Sequence, residues 1–135
     1  MVRWLQNLGL VVLVLAGMIS GDRAGRAADP EAPPTVRLII DYGDGMEKHF
    51  TALAWKDGMT ILTALEAAKE HPRGIRFTCR GKEATTFLTD IDGLENEGSG
   101  KNWVFRVNDK LGSKSFAVTP LKAGDTVLWR FGEYR

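Results

Sequence analysis

From Thr35 to Asp41 apolar and polar residues alternate, with Val36, Leu38 and Ile40 on one side and Arg37, Ile39 and Asp41 on the other. This period of two marks a half-buried strand. The turn Gly43-Asp44-Gly45 separates it from a second strand over Lys48 to Trp55. An Asp-Gly pair between two such runs predicts a β-hairpin, and a short glycine-rich turn in that position is read as a turn, not as a metal or phosphate loop. Asp57-Gly58 ends the strand and the period then lengthens. Ile61, Leu62, Leu65 and Ala68 fall on one helical face, while Thr63, Glu66, Lys69 and Glu70 face water. Thr60 can cap this helix, which runs to Ala68 or His71 before Pro72-Arg73-Gly74 stops it. A protonated His71 would suit the helix C-terminus. Four strands follow, over Ile75 to Arg80, Thr86 to Ile91, Asn102 to Val107 and Thr126 to Phe131, with Asn108-Asp109-Lys110 as a turn. A hairpin, one helix and returning strands predict an α+β domain. The arrangement is β-grasp-like, a mixed sheet of about five strands with one helix packed on one face.

The first 28 residues follow another pattern. Met1 to Asn7 carries one basic residue, Arg3, and Leu8 to Ile19 is an unbroken run of twelve apolar residues or glycine. A small, polar stretch then ends in Ala27-Ala28. This order predicts a secretory signal peptide over 1–28, cleaved after Ala27 or Ala28. The apolar run is shorter than the ~20 residues of a spanning helix, so no membrane insertion is expected after cleavage; an uncleaved signal would act as an anchor. Residues 29–34, Asp29-Pro-Glu-Ala-Pro-Pro34, form a stiff proline-rich linker, and 35–135 form the domain. The expected location is secreted or periplasmic.

Removing the signal peptide takes away Arg3, Arg23, Arg26 and Asp22. Of the 18 basic and 17 acidic residues in the chain, 15 and 16 remain. Such a near-neutral domain has no electrostatic footprint for nucleic acid. About 107 residues can close one hydrophobic core. The single Cys79 excludes an internal disulfide and is expected as a small, half-buried strand residue.

No catalytic constellation emerges. His49 and His71 lie on different elements without ligand spacing, no Gly-x-Ser-x-Gly elbow occurs, and Cys79 has no evident His partner. The chain is therefore expected not to be an enzyme, with no cofactor and no metal site. Asp90, Asp92, Glu95 and Glu97 do place four carboxylates within eight residues. An EF-hand register fails at Leu94, so the segment is read as a solvated, mobile loop. Strand alternation assigns Trp103, Phe105, Trp129 and Phe131 to the core, leaving Trp55 and Tyr134 less clearly buried.

Four blocks in series carry a family resemblance: Lys56-Asp-Gly-Met-Thr-Ile-Leu-Thr-Ala-Leu-Glu-Ala-Ala68, Phe87-Leu-Thr-Asp-Ile-Asp-Gly93, Asn102-Trp-Val-Phe-Arg-Val-Asn108 and Leu121-Lys-Ala-Gly-Asp-Thr-Val-Leu-Trp-Arg-Phe131. Together they resemble the transcobalamin C-terminal-like domain, a secreted β-grasp relative, over roughly 35–134. In the vitamin B12 carriers this domain is half of a cobalamin site, and a helical barrel supplies the other half. The resemblance implies a cobalamin or related corrinoid as ligand and a protein partner that completes the site, since the chain lacks a barrel. It also implies a ligand-proximal edge at the 93–101 loop, with Ser99, Gly100, Asn102 and Trp103. Two other β-grasp activities are not expected. One cysteine cannot hold a [2Fe–2S] cluster, and the chain ends Phe131-Gly-Glu-Tyr-Arg135 without the Gly-Gly tail of a modifier. The expected function is an exported binding module for a small amphipathic ligand. The alternative is a cell-envelope module that docks a protein or polysaccharide and takes no small molecule.

Overall fold

The computed structural model describes residues 32–134. The signal peptide and most of the linker lie outside the described residues. The described residues form eight strands and one α-helix, β1 (Thr35–Asp41), β2 (Glu47–Ala54), α1 (Ile61–Glu70), β3 (Phe77–Arg80), β4 (Phe87–Ile91), β5 (Leu94–Glu95), β6 (Asn102–Val107), β7 (Lys110–Leu111) and β8 (Thr126–Gly132), with a 3-10 turn over Glu83–Thr85 between β3 and β4. The result is a mixed α+β architecture, mostly sheet. A five-stranded sheet has the order β2-β1-β8-β6-β7 and a three-stranded sheet the order β3-β4-β5. Only the β1–β8 pairing in the larger sheet is parallel.

The sequence pattern places the strands well but groups two of them wrongly. The runs at 75–80 and 86–91 do not join the main sheet; they pair antiparallel with each other as β3 and β4, and β4 carries β5 on its far side. Main-sheet edges are taken instead by β2 and by β7, a two-residue strand too short to read from alternation. β7 folds back on β6 through Asn108 and Asp109, with Val107 opposite Lys110. Both turn residues have positive φ, +48° and +69°, a conformation Asn and Asp tolerate and a tight hairpin needs. Lys110 therefore belongs to the strand, not to the turn.

The helix forms where its caps dictate. The Thr60 Oγ1 accepts the Thr63 N–H, and the Thr63 Oγ1 accepts the Thr60 N–H at 2.8 Å, so each hydroxyl satisfies a donor that the first turn leaves unpaired. Ile61, Ala64, Leu65 and Ala68 are fully buried; Leu62, assigned above to the core stripe, is half-buried at its margin. His71 packs its ring edge-on against Phe50 at 5.4 Å, and its Nδ1 accepts the Arg73 N–H at 3.1 Å. It thus closes the helix end by packing and a turn hydrogen bond.

One face of the larger sheet, α1 and the small sheet enclose the core. Val36, Leu38, Ile40, Val127 and Trp129 come from the sheet, Leu88 and Ile91 from β4, and Phe116 and Leu121 from the segment before β8. Each large apolar side chain buried this way contributes about 1.5–3 kcal/mol relative to exposure. The aromatic assignment is correct for Trp103, Trp129 and Phe131, whereas Phe105 is half-buried beside Trp129 at 5.0 Å between ring centroids. Trp55 is half-buried, its Nε1 donating to the Leu121 carbonyl at 2.8 Å, and Tyr134 is exposed. Cys79 is exposed, not half-buried. Its strand lies at the edge of the small sheet, with Thr78 and Arg80 exposed beside it.

A candidate ligand shelf at the hairpin tip

The β1–β2 hairpin ends in Tyr42, the turn 43–45 and Met46. Asp41 accepts the Gly43 N–H at 2.9 Å, Asp44 accepts the Met46 N–H at 3.0 Å, and the Tyr42 N–H donates to the Met46 carbonyl at 3.0 Å. Gly43 has φ +78°, and a Cβ there would overlap the Phe131 carbonyl oxygen. Glycine is required for both reasons, and it lets the tip lie directly against the end of β8.

A second tight turn meets this tip. Asp92 and Gly93 join β4 to β5 with φ +52° and +84° and Ile91 opposite Leu94. Asp-Gly is a favoured pair for that left-handed turn. The Asp92 carboxylate is held from three sides. Its Oδ2 accepts from the Tyr42 hydroxyl and from Lys48 Nζ at 3.1 Å, and its Oδ1 accepts the Arg76 N–H at 2.9 Å. Lys48 Nζ also donates to the Gly74 carbonyl at 3.3 Å.

The electrostatics follow from these contacts. Burial pushes the Tyr42 hydroxyl up, and the hydrogen bond to Asp92 and the charges of Asp92 and Asp44 raise it further, well above the usual tyrosine range. Burial also pushes the Asp92 carboxyl up. Hydrogen bonds from Tyr42, the Arg76 backbone and Lys48, with the Lys48 charge, outweigh it and leave Asp92 below the usual carboxylate range. At neutral pH the cluster sets a neutral Tyr42 phenol against an Asp92 carboxylate.

Around this cluster lies an open depression of about 380 Å³, lined by Tyr42, Asp44, Met46, Lys48, Asp92 and Leu94. Met46 is 64 % exposed. A thioether held in water by an ordered turn offers a soft, adaptable apolar contact. Below the shelf, the Tyr42 ring meets Trp103 edge-on at 5.9 Å, and Trp103 leans on Phe131 at 5.3 Å. The arrangement can hold an apolar group against Met46 and Leu94 while fixed polar groups orient it.

Ser99 and Gly100 lie in the loop between β5 and β6, and Asn102, the first residue of β6, is brought against it. Asn102 spends its amide on that loop: Oδ1 accepts the Gly98 N–H at 2.8 Å, and Nδ2 donates to the Gly98 and Gly100 carbonyls at 2.9 and 3.3 Å. Ser99 and Gly100 are exposed at its tip. Trp103 is buried, its Nε1 donating to the Leu94 carbonyl at 2.7 Å and its N–H to Asn96 Oδ1 at 2.8 Å. It touches the shelf through Tyr42 and Leu94 from underneath. The acidic segment is exposed at Asp92, Glu95 and Glu97, as expected of a solvated loop, and three of its carboxylates are held by hydrogen bonds. Asp90 accepts from Thr78, Glu97 accepts the Lys101 N–H at 2.6 Å, and Asp92 is fixed as above. Among the described residues no group of three or more His, Cys, Asp or Glu side chains is placed to hold a metal ion.

Tyr42, Met46, Lys48 and Leu94 escaped sequence reasoning. A tyrosine and a methionine flanking a Gly-Asp-Gly turn are the available signal, but the Asp92 that Tyr42 meets is fifty residues away and only the fold reveals the meeting.

No curated protein matches the chain. Among solved structures, the chain is similar to a protein of Ruminococcus gnavus for which metal binding has been suggested. The TM-score is 0.60 and the identity 18%, over 76% of this chain and 99% of that one; at that identity the likeness concerns the fold. The model of one family, described as a domain of unknown function, DUF4430, matches residues 58–133, more than half of the chain. The chain belongs to the DUF4430 family.

Proposed function

We propose that the protein is an exported, non-enzymatic binding module that takes a small amphipathic ligand on the hairpin-tip shelf. The observation that carries this reading is Met46, 64 % exposed beside the fixed Tyr42–Asp92–Lys48 cluster and Leu94. An apolar contact next to a few oriented polar groups is the composition of a small-molecule site. The resemblance to the transcobalamin C-terminal-like domain, with its β-grasp fold, supports a corrinoid as the ligand. The shelf is open to solvent, which suits half a site completed by a partner protein. Metal binding, suggested for the structural neighbour, finds no donor cluster among the described residues, so the reading rests on the shelf.

The test is titration of the purified protein with cobinamide and cobalamin while tryptophan fluorescence is followed. Trp103 lies directly beneath Tyr42, so occupancy should quench it, and Met46→Ser should weaken the effect. No quench at ligand concentrations of about hundreds of micromolar, well above a useful Kd, would remove the corrinoid reading.

A further inference from the structure

A second depression, of about 390 Å³, lies at the other end of β6, away from Trp103 and the shelf. Its floor is apolar, formed by Phe105, Val107 and Leu111, each half-buried. Gly112 lies against that floor. Its N–H donates to the Phe105 carbonyl at 3.1 Å, and a Cβ at this position would land in the Phe105 ring. The segment beyond is pinned. Ser115 Oγ donates to the Thr86 carbonyl, Thr119 Oγ1 to the Ser115 carbonyl at 2.8 Å, and Phe116 is buried edge-on against Trp129. The depression is therefore preformed by packing and hydrogen bonds.

Its rim is cationic. Lys110, Lys114 and Lys122 line it and are exposed, and among the described residues none of the three ammonium groups has a hydrogen bond or ion pair. Asp125 is the one carboxylate among the lining residues, and it is already committed. Its Oδ1 accepts from Asn108 Nδ2 at 2.9 Å and its Oδ2 accepts the Lys122 N–H at 2.8 Å. Three cations against one carboxylate leave a net positive rim around an apolar floor, which complements a ligand that is anionic at one end and apolar at the other.

We propose that this depression binds a free anionic amphiphile, with a phosphate or carboxylate on the lysine rim and a short apolar body on Phe105, Val107 and Leu111. The site is separate from the shelf, and neither reading depends on the other.

The test titrates the purified protein with octyl phosphate below its micelle concentration, following backbone amide NMR shifts. Saturable binding is expected, with shifts gathered on residues 105–114 and 122. Octanol and inorganic phosphate, each lacking one half of the chemistry, should bind at least about tenfold more weakly, and Lys110→Gln/Lys114→Gln/Lys122→Gln should cost about tenfold, the product of three exposed charge contacts. Met46→Ser should leave this affinity unchanged, so failure at the shelf is distinguishable from failure here. No saturable shift, shifts mapping elsewhere, an unchanged affinity in the triple variant, or binding to anionic vesicles without binding to octyl phosphate would each overturn the proposal.

Discussion

Replacing Asp92 probes the hairpin tip directly, because one carboxylate ties Tyr42 at the tip, Lys48 of β2 and the segment before β3 to the β4–β5 turn. Asp92→Ala removes the acceptor for Tyr42, Lys48 and the Arg76 N–H together. Hydrogen bonds to a charged group are worth about 1.5–3 kcal/mol each when buried. Here the side chains of Lys48 and Asp92 are 39 % and 25 % exposed, so solvent screening reduces each contact to about 0.5–1 kcal/mol. Alanine must also hold the left-handed φ of +52°, which costs a further ~1 kcal/mol. The expected loss is about 3 kcal/mol, or about 10–20 °C in Tm for a domain of this size. Asp92→Asn keeps a side chain that accepts the left-handed turn and the Arg76 N–H, so it should lose roughly half as much. Urea unfolding followed by tryptophan fluorescence measures both variants. An Asp92→Ala protein within about 0.5 kcal/mol of the parent, the range of an ordinary surface substitution, would refute the assigned role.

The same cluster sets limits on pH. Asp92 is lowered from 3.8 in the folded protein, so its stabilisation is present above that value and lost as pH falls through the folded pKa. Tyr42 is raised from 10.0, so its stabilisation is complete below pH 10.0 and fades as pH climbs beyond it. Asp92→Asn should flatten the acid limb of the stability profile and Tyr42→Phe the alkaline limb. Asn96→Ala strips the Leu88 carbonyl and the Trp103 N–H of their side-chain partners and should cost about 2–3 kcal/mol in the same unfolding assay, since both stranded groups are partly buried. Gly43→Ala should cost at least about 2 kcal/mol, combining a left-handed backbone with a clash against Phe131, and a smaller loss would show that the tip can move away from β8. Cys79 should react with a thiol reagent in the native protein as fast as in denaturant, because it is exposed; protection in the native state would contradict its placement.

Local pattern was enough for the elements that carry their own signals. Alternation along Val36–Leu38–Ile40 and Trp103–Phe105–Val107 marks strands because a strand with one buried face must alternate. Thr60, the apolar spacing of the next turns and Pro72-Arg73-Gly74 bound the helix because its ends need partners and its interior cannot take proline. The tertiary structure decided what those elements meet. Which strands share a sheet depends on backbone hydrogen bonds between distant segments, so β3 and β4 left the main sheet although their own residues read as ordinary strands. Exposure of Cys79 followed from that regrouping. The candidate shelf is the sharpest case: Tyr42 and Asp92 are joined by one hydrogen bond, and a signal that decays within a few residues along the chain cannot report a contact that closes only when the sheets pack.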